Sequence, residues 1–388
     1  MPEPQDLAAR ARELANRFII VDGHVDLPYR LEKSLNDDGT VGEDVTTRTS
    51  KGDFDYPRAK EGGLDAPFMS IYIPAKYQKE GGAKALADKL IDMVEGIAKG
   101  APDKFAVATS PKAVREDFAA GKISLPLGIE NGAAIESDLA NLKHFHERGV
   151  RYITLTHSKD NAICDSSYDE TRTHKGLSEF GKQVVAEMNR LGVMIDVSHI
   201  SDDTFEQVMT LSVVPVIASH SSCRHYTPGF ERNMSDAMIE KLAAKGGVIM
   251  INYGSSFIDD AVRLERKKSW DALEAFAEAN GIEQDDPRAK TFREEYESKH
   301  KLPFATVEQV ADHIDHVRKL VGIDHVGLGS DFDGVGDSLP TGLKDASQLP
   351  NLLRVLLERG YSDEDIEKIC SSNVLRVWQT VEDHAAKQ

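Results

Sequence analysis

Cysteine is scarce in this chain: Cys164, Cys223 and Cys370 are the only three among 388 residues. They are too few and too scattered for a disulfide framework or a cysteine-rich zinc knot. Basic residues are also in deficit, 47 against 65 acidic, for a formal charge of −18. That balance favours solubility and disfavours a phosphate backbone as partner, so no nucleic acid is expected. No run approaches the roughly 18 apolar residues of a membrane span. The N-terminus, Met1-Pro-Glu-Pro-Gln-Asp6, lacks a basic stretch followed by an apolar one, which removes the signature of a secretory leader. These absences together predict a cytoplasmic protein with no membrane attachment. No internal repeat or low-complexity tract stands out.

What is present is enough apolar residue for a large core, 40% of the chain with 29% charged, which suits one large α/β domain or two ordinary ones. Apolar runs alternate with amphipathic helical stretches: 18–26, 67–73, 125–130, 152–157, 193–199, 215–220, 248–253 and 325–331 read as eight strands. Most are continuous rather than alternating, as strands covered on both faces should be. Helix starts are marked by Ser110-Pro111, Ser137-Asp138, Ser201-Asp202, Ser235-Asp236 and the capping box Thr306 to Gln309, and helix ends by Gly149, Gly192, Gly246 and Gly322. An open doubly wound sheet shares much of this pattern. The strand ends favour a (β/α)8 TIM-type barrel, because His24, Asp26, Glu130, His157, His199, His220 and Asp331 follow apolar runs and would converge at one mouth. Residues 1–388 then form a single barrel domain. A charged helical insertion after strand seven, about 255–305, could serve as a lid or a subunit contact, and 36–60 reads as a long polar loop.

Context sorts the thirteen histidines. His144, His146, His313, His316 and His384 lie in helical stretches among charged residues and read as exposed. His300 belongs to the insertion, His325 precedes its strand, and His174 and His225 fall in loops. His24, His157, His199 and His220 end strands. In a strand, residues two apart share a face, so His24 and Asp26 aim at one point, a spacing suited to zinc. His199 and His220 could hold a second ion, and Glu130 could bridge the two. Metals so bridged share a hydroxide and polarise a carbonyl, which assembles a hydrolase with Asp331 left as proton shuttle. Asp333, on the same face, ranks below Asp331.

The motifs Asp22-Gly-His-Val-Asp-Leu-Pro28, Gly128-Ile-Glu-Asn-Gly132, Thr154-Leu-Thr-His-Ser158, Ile195-Asp-Val-Ser-His199, Ala218-Ser-His-Ser-Ser222, Arg232-Asn233, Gly329-Ser-Asp-Phe-Asp-Gly334 and Ser372-Asn-Val-Leu-Arg-Val-Trp378 occur in this order. The ordered set resembles the membrane (renal) dipeptidase family of the amidohydrolase superfamily, from about Asp22 to Trp378. The resemblance implies a (β/α)8 barrel that hydrolyses dipeptides with two zinc ions per chain. By it His24 and Asp26 hold one zinc, His199 and His220 the other, and Glu130 bridges. It also implies Asp331 as catalytic acid/base, His157 and Arg232 as substrate contacts, and a homodimer. Within that mechanism His157 donates to the developing oxyanion and Arg232 pairs with the dipeptide's terminal carboxylate. Tyr72, near the end of strand two, is a second contact to that carboxylate.

Departures matter as well. Mammalian members are secreted, disulfide-containing and lipid-anchored, so their localisation does not carry over, and the insertion here is longer than its counterpart. The superfamily's common His-x-His start is replaced by His24-x-Asp26, and its bridging carboxylated lysine by Glu130, which argues against phosphotriesterase-like or dihydroorotase-like chemistry. The alternative activity is hydrolysis of an N-acyl amino acid, a lactone or a β-lactam on the same site. A barrel that binds metal without turnover is disfavoured by the completeness of the residue set.

Overall fold

The apolar run after Phe18 becomes strand β1 (Ile20–Val25), fully buried. The computed structural model describes residues 4–36, 38–282 and 286–388. Seven more strands follow: β2 (Leu64–Tyr72), β3 (Leu127–Glu130), β4 (Val150–Thr154), β5 (Met194–Asp196), β6 (Ile217–Ser221), β7 (Val248–Ile251) and β8 (Val326–Leu328). All neighbours pair in parallel, and β8 closes onto β1, so the expected (β/α)8 barrel is the fold. A parallel pair must be joined by a crossover, and helices supply it around the outside. Several begin where the sequence marks them: Ser110, Ser201, Ser235 and Thr306 each accept a backbone N–H as N-cap, and Gln309 completes the Thr306 box.

Apolar residues inside the ring close the barrel floor. Val21, Phe68, Tyr152, Met194, Ile217 and Met250 pack with Val374, Val377 and Trp378 of the helix Asn373–Ala385. Phe68 sits between Tyr152 and Trp378, with centroids 5.2 and 5.3 Å away. A second, larger apolar cluster joins the sheet to the surrounding helices. The floor is therefore dry, and polar groups gather at the opposite end.

Seven of the eight strands are shorter than the sequence predicts, while β2 is longer. His157, His199 and Asp331 stand three residues beyond the last residues of β4, β5 and β8, on the mouth loops rather than in the strands. His199 (φ 68°) and Asp331 (φ 64°) have left-handed backbones, which no strand can continue through. Such strain in non-glycine residues concentrates at functional sites. The stretch expected to be loop over 36–60 ends in a helix, Tyr56–Gly62, started by Asp55 accepting from Arg58 N–H; residue 37 lies outside the described residues. The insertion is helical as expected, with segments Ser255–Ile258, Asp260–Asn280 and Pro287–Lys299. Phe276 and Phe292 stack at 4.4 Å and hold the two longer helices together; residues 283–285 lie outside the described residues.

Candidate active site

Glu130 ends β3 and turns its two carboxylate oxygens to opposite partners. Oε1 lies 3.0 Å from Nε2 of His199 and 3.2 Å from Nε2 of His220, while Oε2 lies 3.4 Å from Nε2 of His24. His24 Nε2 is also 3.4 Å from Asp26 Oδ2, and the Nε2 atoms of His199 and His220 are 2.9 Å apart. Donor atoms around a tetrahedral ion with bonds of about 2.1 Å stand ~3.4 Å apart, so these separations are close to those of ligands sharing a centre. The His24 and His220 rings stack at 3.8 Å, which sets the two donor groups side by side. Buried Nε2 of His24 and Oδ1 of Asp26 have no hydrogen-bond partner among the described residues. A buried polar atom without a partner is costly, and these two sit together within a cluster of metal-type donors, an arrangement that fits divalent cations.

The opposite edges of two imidazoles are fixed by the barrel wall. The Tyr152 hydroxyl donates to Gly23 O (3.0 Å) and so must accept from Nδ1 of His24 (2.9 Å), leaving the Nε2 lone pair free. A Cβ on Gly128 would come within 2.1 Å of the Tyr152 ring, so glycine is what lets that ring cross the barrel. Ser219 Oγ donates to Asp196 Oδ2 (2.6 Å) and accepts from Nδ1 of His220 (2.7 Å), with the same outcome at its Nε2. Asp196 also accepts Ser198 and Ser219 N–H groups. Below the site, Asp22 accepts the N–H groups of His24 (3.0 Å) and Ser330 (2.9 Å), joining β1 to the end of β8; burial raises its pKa to about 6.

Charge in the site is divided. Burial, reinforced by Arg232 and His157, holds His199 well below the ordinary imidazole range, and burial with His24 and Arg232 brings His220 to about 4. Burial also lowers His157. Neutral imidazoles are what ligation or hydrogen-bond donation requires. Burial opposes charge on His24 too, but Tyr152, Asp26 and Glu130 outweigh it and hold its pKa well above normal. The same negative field favours any cation at that nitrogen. For Glu130, burial opposes ionisation, yet His24, His157, His199 and His220 overcome it and keep the carboxylate charged.

Asp331 lies beside His24 and Asp26, and its Oδ2 accepts from Asn252 Nδ2 at 2.7 Å. Burial raises its pKa. A Cβ on Gly334 would fall 2.2 Å from Asp26 Oδ2 and 2.3 Å from Asp331 Oδ1, so the backbone presses directly on both carboxylates. Asp333 points elsewhere: Arg30 Nη1 reaches both its oxygens at 2.8 Å, and Asp53 N–H reaches Oδ1. His157 Nε2 is 3.7 Å from Glu130 Oε1, and its ring meets His199 at 4.3 Å and Tyr72 at 4.8 Å. Arg232 is buried over the Phe257 ring, donating to Ser221 Oγ (2.7 Å) and His220 O (2.8 Å), with its Nε unpartnered.

All nine residues singled out from the sequence thus lie around this mouth. Tyr152, Asp196, Ser219, Asn252 and Phe257 were not singled out. Tyr152 reads as an ordinary core aromatic, and the others carry no spacing signal. None of the five helical histidines is exposed as expected: His144, His146, His316 and His384 are half-buried and His313 is buried. His313 is buried, accepting from Cys223 N–H and bonded to Ile258 O, both at 3.0 Å, and His316 is half-buried against Asp236. Both lie on the inner side of Val307–Val321, where polar groups of the loop after β6 and the insertion need partners.

The model of the membrane dipeptidase family (peptidase family M19) matches residues 8–388. An uncharacterized dipeptidase of Schizosaccharomyces pombe is 31% identical over 386 residues, covering 96% of this chain and 83% of that protein. The probable dipeptidase PvdM from Pseudomonas aeruginosa is 29% identical with a TM-score of 0.83, covering 99% of this chain and 100% of its own. A metallopeptidase from Rhodobacter sphaeroides, solved with a phosphinate mimic of the dipeptide L-Ala-D-Ala, is 25% identical with a TM-score of 0.74, covering 94% and 99%. Among the described residues no helix is long and apolar enough to cross a membrane. The chain belongs to the membrane dipeptidase family, peptidase family M19, and is a metal-dependent hydrolase.

Proposed function

We propose that this chain, folded as one barrel domain with its insertion, is a binuclear zinc dipeptidase acting on dipeptides with a free C-terminal carboxylate. The observation that carries the reading is the division of Glu130, with one oxygen toward His199 and His220 and the other toward His24. His24 and Asp26 would hold one ion, His199 and His220 the other, and Glu130 would bridge. When bound, the pair supplies an acidified water and polarises the scissile carbonyl.

The remaining steps belong to the chain's own groups. Asp331, anchored at Oδ2 by Asn252, accepts the proton of the attacking water and returns it to the leaving amine. A raised carboxyl pKa suits a group that must both take and give a proton. Neutral His157 donates to the carbonyl oxygen as negative charge develops there. The Nε–H of Arg232, unused within the protein, pairs with the substrate's terminal carboxylate. Tyr72, edge-on to His157, contacts the same carboxylate.

Two measurements test this. Zinc analysis should give close to two ions at the barrel mouth, and a panel of L,L and L,D dipeptides should be turned over well ahead of N-acyl amino acids, lactones and β-lactams. The L,D pairs belong in the panel because the Rhodobacter sphaeroides relative was solved with a mimic of L-Ala-D-Ala. One tightly held ion with full activity, or preference for a lactone, contradicts the reading. Ser219→Ala should weaken zinc retention about 10–100-fold, because outer hydrogen bonds fix the ligand's tautomer and orientation. Unaltered affinity in a chelator titration would remove Ser219 from that role.

A further inference from the structure

A second group of metal-type donors lies outside the barrel mouth. One ligand atom each from His225, Asp236 and His316 falls within 4.8 Å of the others, with His225 exposed and the other two half-buried. They come from three elements: the short turn Arg224–Tyr226 after β6, the first residue of helix Asp236–Ala244, and helix Val307–Val321. His316 Nε2 is 2.8 Å from Asp236 Oδ1. The His225 ring lies over His316, with centroids 4.3 Å apart and planes at 21°, and Tyr226 packs edge-on against both rings at 4.9 and 5.8 Å.

Surface His–carboxylate pairs are common, and a comparison within this chain separates this one. Asp88, paired with His144, is also neutralised by Lys84 and Arg148. Asp236 has no lysine or arginine within ion-pair distance among the described residues, and neither ring nitrogen of His225 has a hydrogen bond there. A carboxylate without a competing cation, beside two imidazoles of which one is free to turn toward it, offers the two nitrogens and one oxygen of a three-ligand zinc site. Exposure of His225 leaves a fourth position to water.

We propose that His225, Asp236 and His316 bind a further zinc ion, separate from the barrel-mouth site, which ties the segment between His220 and Arg232 to two outer helices. That segment is already fastened by Arg224 paired with Asp202 at 2.6 and 2.7 Å, and to helix Val307–Val321 by the Tyr226 hydroxyl donating to Asp312 O at 3.1 Å and Cys223 N–H donating to His313 at 3.0 Å. The ion would add a fastening that joins the exposed His225 to the first turn of helix Asp236–Ala244.

The test uses zinc-loaded full-length protein, dialysed against micromolar free zinc, as wild type and as His225→Ala and Asp236→Asn variants. Each variant should retain one zinc per chain fewer than wild type by mass spectrometry, with dipeptide turnover unchanged. Zinc returned after chelator stripping should raise the unfolding midpoint of wild type about 5 °C more than that of either variant. The readout is a difference between wild type and variant, so it stands whatever the ion count at the mouth proves to be. Equal zinc content in all three proteins overturns the proposal. So does calorimetric titration of zinc into chelator-stripped wild type that gives the same binding isotherm as stripped Asp236→Asn, a near-isosteric variant whose retained turnover reports an intact fold.

Discussion

Asp331→Asn is expected to lower kcat by about 10²–10⁴-fold, the range general acid–base groups contribute, with zinc content unchanged. The side chain is nearly isosteric, and its carbonyl oxygen can still accept from Asn252, so the anchor at 2.7 Å survives. What disappears is the ability to take a proton and return it. Because that ability matters as bonds break, kcat and kcat/KM should fall together, with KM little changed. Full activity would remove Asp331 from the reaction. Loss of a zinc ion would instead assign it to ligation, beside His24 and Asp26.

Arg232→Met should produce the second large effect, and its signature is selectivity. Breaking a buried charge pair costs about 3–5 kcal/mol, which corresponds to roughly 10²–10³-fold or more in kcat/KM. That loss should fall on dipeptides with a free C-terminal carboxylate. The variant also strips partners from Ser221 Oγ and His220 O, but this structural loss falls equally on amidated dipeptides. The ratio of kcat/KM for free and amidated forms therefore isolates the carboxylate contact. An equal decline on both forms contradicts the pairing and leaves Arg232 as a support for the loop behind His220.

Much of this site was legible before folding. A run such as 18–26 opens with four apolar residues, Phe18 to Val21, shortly before it delivers His24 and Asp26, and eight such runs with helices between them have few ways to bury their faces. Candidate donors could be read because the chemistry of divalent-metal binding restricts them to a few side-chain types. The supporting groups were not legible. His24 and Tyr152 are 128 residues apart, and His220 meets Asp196 through Ser219 only because β5 and β6 are neighbours. Nothing in local spacing marks a tyrosine inside an apolar strand as the partner of a distant imidazole. The reading of His313 and His316 as exposed failed for a related reason. Charged neighbours report the outer face of a helix, whereas these rings meet loops brought in from elsewhere.

Sequence alone marked eight strand-like runs with helices between them and the polar residues at their ends, and so favoured the barrel over an open sheet, because alternation and apolar runs are local properties of the chain. Tertiary structure decided which atoms of those groups face one another. It turned Glu130 so that its two oxygens serve different histidines, chose the Nε2 edges of His24 and His220 by occupying their Nδ1 edges, and sent Asp331 into the mouth while Asp333 turned to Arg30. Those choices depend on hydrogen bonds between residues far apart in sequence, which exist only once the barrel closes.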